Sequence, residues 1–490
     1  MTRDLRLLLA LLLPFVVLAT LNSGGYRFGA SDQAFYVPAV LERLDPALYP
    51  RDSGLIESQA RLTFVDETLA PLAETGLPLT ALCAALYIVT LVLLAATAWL
   101  IATTLFASRW TAVAFVAALT LRHAIAKTGT NTLEAYFHPR QLAFALGAVA
   151  IALFLRGRYA AALVPLLPAA LLHPTTALWL LIWLVVAAGV AIPRTRLTIA
   201  VLAGAALLAG LWLVTAGPLG GRLAVMDAEW LATLTTKDYL FPLGWPVSVW
   251  LINLGYVPVI VGIWQYRRRA GLLRERENAL VAGCLSLLAV FAAALVLHRA
   301  PVALFVQMQP ARIFWMLDFL ATAYAVWALV EGATPRLGRQ VIATACITAF
   351  SIGRAVYVAA FLFPDRPMAA IDIPPTDWGR VMAWARATGR DTGWLADPVH
   401  AARYGTSVRV AGERDVFVEE IKDTAIGMYD REIAMRTRDR LAALGRFESL
   451  TAAQAADLGR RYDLDYLVTE NALDLPVAFR SGPLRVYRLR

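Results

Sequence analysis

The sequence predicts an α-helical polytopic membrane protein of about eleven transmembrane helices, followed by a small extracytoplasmic α/β domain. Three observations carry this expectation. Of 490 residues, 59% are hydrophobic and only 17% charged, too apolar for a soluble chain. Apolar runs long enough to cross a bilayer recur over most of residues 1–363. The short loops between them collect arginine on one side, as membrane topology requires.

The runs fall at about 5–21, 79–106, 110–121, 139–155, 159–172, 175–192, 197–216, 246–264, 279–297, 313–330 and 340–363. A cytoplasmic N-terminus puts Arg109, Arg156, Arg158, Arg194, Arg196, the 267–276 arginines, Arg336 and Arg339 on one side. The other side then carries the long polar loops 22–78, 122–138, 217–245 and 298–312, and the C-terminus. Arg3 and Arg6 before the first run resemble the start of a signal peptide, but the spans that follow favour an uncleaved helix. The net charge of +9 belongs mostly to these short loops, so nucleic acid is set aside as a partner. Cys83, Cys284 and Cys346 all lie in apolar runs, which leaves no disulfide framework outside.

Within this order some segments depart from plain spans. The run 159–172 contains Pro165 and Pro168 and ends at His173-Pro174, which predicts a kinked or partly re-entrant helix. The first loop has helical apolar spacing over 35–48 and 55–72, suited to amphipathic helices lying on the membrane. After 364 the chain is charged. Strand-like runs at 393–396, 407–411, 466–469 and 484–489 alternate with helical stretches at 378–388, 418–444 and 451–462, with 372–377 as a linker.

Candidate chemistry gathers in the long loops. Asp32 lies just past the first span, where its carboxylate serves either as a helix N-cap or as a base near the headgroups. Tyr36, Arg51 and Asp52 share that loop, and Asp45-Pro46 reads as a turn. The second loop supplies His123, Glu134, His138 and Arg140. Helical spacing would put Glu134 and His138 on one face, as a hydrogen-bonded pair or as two metal ligands. His138-Pro139 and His173-Pro174 read as helix starts with a modest signal of a polar site. Gln309 and Arg312 close the set. For any single arginine, snorkelling to headgroups is the ordinary reading, though Arg140 and Arg312 at helix starts also suit phosphate. Nucleotide-loop, serine-hydrolase, zinc-protease and dinucleotide motifs are absent.

The stretches GASDQAFY at 29–36, Asp45-Pro46 with Arg51-Asp52, His138-Pro139-Arg140, Asp465-Tyr466-Leu467-Val468 and Val486-Tyr487, in this layout, resemble the GT-C superfamily of membrane glycosyltransferases and its bacterial relatives. The resemblance implies transfer of a sugar from a polyprenyl-phosphate donor to a glycan, lipid or protein acceptor outside the bacterial inner membrane, with inversion. It implies Asp32 as base, Glu134 and His138 as its support, and Arg312 at the phosphate. The family's acidic doublet is missing here, which leaves a divalent metal cofactor open. A transporter or flippase of lipid-linked substrates, and a catalytically silent scaffold of the same fold, are the rival readings.

Overall fold

The computed structural model describes residues 3–217 and 219–490. Among them, eight helices are long and apolar enough to cross a membrane, from Arg3–Asn22 to Leu337–Leu362. The remaining apolar runs form the shorter helices Arg109–Leu119, Pro139–Leu155 and Tyr159–Leu172. The last of these breaks into Tyr159–Leu163 and Leu166–Leu172 around Pro165, as a proline without its N–H dictates.

Close crossings hold the bundle. A Cβ on Gly283 would stand 2.3 Å from the Trp183 carbonyl, so helix Glu277–Leu297 touches helix Pro174–Ala191 through backbone, and Trp183 Nε1 donates to the Leu280 carbonyl at 2.8 Å. Gly283→Leu is therefore expected to lower stability by about 1–3 kcal/mol, read as a fall in the unfolding midpoint in detergent; an unchanged midpoint would contradict this packing.

The bundle has two unlike ends. At one, Arg109 meets Asp4, and Arg267, in the last turn of helix Tyr256–Arg269, is buried against Glu277 through bonds of 2.6 and 2.9 Å. Arg267 is thus a structural ion pair, unlike the solvent-facing topology signals around it. At the other end the polar loops 22–78, 217–245 and 298–312 bond to the C-terminal domain, the first through Asp52 and Arg409. Trp230 donates to the Gly427 carbonyl at 2.7 Å, and Gln307 to that of Met428 at 2.9 Å.

The first loop forms helices Gln33–Leu44, Ser53–Ala60 and Val65–Glu74. Much of their apolar face packs on protein. Ala39, Tyr49, Leu55 and Ile56 pack with Ile426 and Ile433 of the C-terminal domain, while Val65 and Leu69 join the core of the bundle. The amphipathic spacing is real; protein covers most of it, while Phe64 and Leu72 stay exposed.

The C-terminal domain is built on a five-stranded sheet in the order Asp415–Val416, Gly393–Leu395, Tyr466–Thr469, Leu484–Arg488, Val477–Ser481, the first three parallel and the last two pairings antiparallel. The strand expected at 407–411 is the short helix Val408–Ala411, because the Ser407 side chain accepts the Arg409 N–H and caps it. The helix expected over 418–444 divides into Glu420–Ile426 and Arg431–Leu444, and strand Val477–Ser481 was not anticipated. The 372–377 segment is no free tether. Ile373 packs against both the bundle and the domain core, and Tyr26–Arg27 of the first loop pairs in parallel with Ala369–Ala370.

Candidate functional site

Asp32 stands at the N-cap position of helix Gln33–Leu44, yet its backbone is helical and its side chain caps nothing. Capping is therefore not its role. Instead Oδ2 accepts from His138 Nε2 at 3.2 Å and Oδ1 from Lys422 Nζ at 2.6 Å. The turn that aims it is fixed by Gln33, whose side chain accepts the Gly29 N–H at 2.6 Å and donates to the Phe137 carbonyl at 3.3 Å. Gly29 has φ +76°, and a Cβ there would meet Val410 at 3.0 Å, so no other residue fits without strain.

Both histidine–proline pairs begin helices with proline in the first turn, and both histidines also face the site. His138 Nδ1 accepts the Arg140 N–H at 3.1 Å, which leaves the ring proton on Nε2, pointed at Asp32. The imidazole stacks on Tyr136 with centroids 5.9 Å apart and meets Tyr36 edge-on at 5.5 Å. His173 Nδ1 takes the Thr176 N–H and hydroxyl at 3.3 and 2.9 Å, so its proton also sits on Nε2.

These groups line one cavity of about 420 Å³, with Asp32, Tyr36, His138, Arg140, His173 and Arg312 on its wall. Neither arginine snorkels. Arg140 is buried, donates to Glu134 Oε1 at 3.2 Å and leaves its Nε without a partner. Gln309 adopts the left-handed conformation at φ 49° that ends helix Ala303–Met308, and the following turn Pro310–Arg312 delivers Arg312. Among the described residues the Arg312 guanidinium forms no ion pair, and its Nε is buried and unpartnered, as is Gln309 Oε1. Two arginines with unused donors facing a cavity suit an anionic oxygen ligand.

Electrostatics assign the protons. Burial would raise the Asp32 carboxyl, but the Lys422 ammonium, the His138 bond and Arg140 hold it well below the usual carboxylate range. A quarter of its side chain still faces the cavity. Burial, aided by Arg140 and opposed by Asp32, pushes His138 down to about 4. Burial, with Arg312 and Arg140 beside it, likewise lowers His173. The site at neutral pH is a carboxylate beside two neutral imidazoles.

Several expected members lie elsewhere. Glu134 and His138 share no helix face, because 124–131 is a hairpin of Ala124–Ile125 with Thr130–Asn131 and the chain beyond it is not helical until Pro139. Glu134 turns to Arg140 and to Asn131, the latter at 3.1 Å, instead. Arg51 binds Asp415, Asp463 and the Asp391 carbonyl inside the C-terminal domain and does not line the cavity. His123 bonds Asp318 at 3.0 Å beside a separate small cleft. Asp45 accepts the Ala47 N–H at 3.2 Å in the expected turn. Lys422, Lys237, Arg222, Tyr239 and Tyr429 line the cavity and were not anticipated, since nothing in their local sequence sets them apart. No three His, Cys, Asp or Glu side chains among the described residues come together as a metal-holding group. Compared with known proteins, the chain matches no family model and no curated protein.

Proposed function

We propose that the chain is an inverting glycosyltransferase that takes a sugar from a polyprenyl-phosphate donor to an acceptor hydroxyl at the outer face of a bacterial inner membrane, with the N-terminus cytoplasmic. The observation that carries this reading is the meeting of an ionised Asp32, a neutral His138 and the unpaired Arg312 in one cavity beside apolar helices. The acceptor oxygen forms its bond to the anomeric carbon as the bond from that carbon to the phosphate oxygen breaks. The bonding electrons leave on the phosphate, which Arg312 and Arg140 receive, and the hydroxyl proton passes to Asp32. His138, oriented through its Nδ1, keeps the carboxylate in place. The lipid tail remains among the helices, so the polar pocket need take only phosphate and sugar.

In liposomes loaded with labelled polyprenyl-phosphate sugar, purified protein is expected to transfer label to added acceptor glycan. Arg312→Gln is expected to weaken binding of polyprenyl phosphate by about 10- to 100-fold, the loss of a charge-assisted bond. Movement of labelled lipid across the bilayer without transfer would replace this reading with a flippase; unchanged lipid binding in Arg312→Gln would remove the phosphate assignment.

A further inference from the structure

The cavity carries far more positive charge than one phosphodiester can balance. Arg61, Arg140, Arg222, Lys237, Arg312 and Lys422 line it against the single carboxylate of Asp32. Some of this charge is paired within the protein. Lys422 is matched by Asp32 at 2.6 Å, Arg140 by Glu134 at 3.2 Å, and Arg61 reaches Asp430 loosely at 3.9 Å. Among the described residues, Arg222, Lys237 and Arg312 have no carboxylate within 4.0 Å.

Two of these three are nevertheless held in place by neutral acceptors. Arg222 donates to the Gln307 side-chain oxygen, and Gln307 is anchored in turn to the Met428 carbonyl at 2.9 Å. Lys237 Nζ donates to the Ile421 carbonyl at 2.9 Å. Neutral acceptors such as these orient a cation without cancelling its charge. Half-buried cations of one sign around a cleft raise the local concentration of anions and await a negative partner. A lipid-linked sugar phosphodiester brings one negative charge, which Arg312 answers under the sugar-transfer reading. Arg222 and Lys237 are then left over.

We infer that the cavity holds two anionic groups at once, and that Arg222 and Lys237 receive the second. This rests on the sugar-transfer reading for the identity of the first. The second anion is either another phosphate on the lipid or a phosphate on the acceptor, and the chemistry of its recognition is the same in both cases.

The test is equilibrium binding to the full chain in nanodiscs, comparing wild type with the Arg222→Gln/Lys237→Gln double variant at matched unfolding midpoints. If the second anion is on the lipid, wild type binds polyprenyl diphosphate at least about tenfold more tightly than polyprenyl monophosphate, and the double variant loses that preference while keeping its monophosphate affinity. If it is on the acceptor, the two lipids bind alike. Monophosphate-loaded wild type then takes a hexose phosphate at least about tenfold more tightly than the hexose, and the double variant loses this difference. Absence of both preferences in wild type, or their survival in the double variant, overturns the inference. Should polyprenyl monophosphate fail to bind at all, the sugar-transfer reading falls by itself. The two-anion inference is then decided by inorganic pyrophosphate against inorganic phosphate: a preference of about tenfold that the double variant loses keeps it, and its absence ends it.

Discussion

Asp52→Ala is expected to destabilise the chain by about 3–5 kcal/mol, because it removes one partner from a buried network of charges. Asp52 is fully buried, and its Oδ2 accepts from Arg409 Nε at 2.7 Å and from the Val416 N–H at 3.1 Å. Its Oδ1 accepts from Arg436, with Arg440 at 3.8 Å. Arg409 is itself clamped to Asp423 by bonds of 2.6 and 3.0 Å. Without Asp52, the buried Arg409 loses one of its two close carboxylates and the part-exposed Arg436 loses its carboxylate partner. The network joins the first loop to the C-terminal domain, so the loss also loosens the residues that hold Lys422. The unfolding midpoint in detergent and limited proteolysis after residue 364 would measure this. Wild-type resistance in both would mean that the network contributes little.

Asp32→Asn is expected to reduce sugar transfer by about 10²- to 10⁴-fold at normal protein level, since an amide cannot accept the acceptor's proton. A rate near wild type would remove Asp32 from the role of base. The companion variant is Lys422→Met, whose effect is on pH. The Asp32 carboxyl is lowered, so what its ionised form contributes is present above its ordinary value of 3.8 and lost as pH falls through the depressed one. His138 is lowered from 6.5 to about 4, so stability drawn from its neutral form declines as pH drops across that interval. In wild type the acidic limit of activity is thus expected near the His138 value of about 4. Lys422→Met removes the nearest cation and leaves burial, which raises Asp32, so the acidic limb of the rate profile is expected to move upward. An unmoved limb would mean that, without Lys422, His138 and Arg140 still hold Asp32 at or below the His138 value.

Local sequence carried the bundle and half of the site. Every apolar run is helical, and the prolines after His138 and His173 mark helix starts because proline fits the first turn and little else. Asp32, Tyr36, His138, Arg140, His173, Gln309 and Arg312 share the cavity as their placement at one end of the spans implied. The errors came where distant chain decides. Arg51 and Asp52 look like loop residues near the headgroups, but the C-terminal domain supplies their partners. Glu134 has the spacing of a helix, but the hairpin before it and the Arg27 N–H, which donates to the Ala135 carbonyl at 2.8 Å, keep that segment extended. Lys422 lies in a charged stretch that reads as solvated surface, and only the folded chain lays that stretch over Asp32.

The parallel pairing of Tyr26–Arg27 with Ala369–Ala370 sets the order in which the protein can be made. The ribosome must add roughly 340 further residues before the first of these strands finds its mate, about 20–70 s of synthesis at ordinary rates. Throughout that interval the stretch around Asp32 waits at the membrane without its ceiling. A nascent chain released early would therefore keep its apolar hairpins and lack the pocket, and quality-control proteases would meet it with that stretch still open.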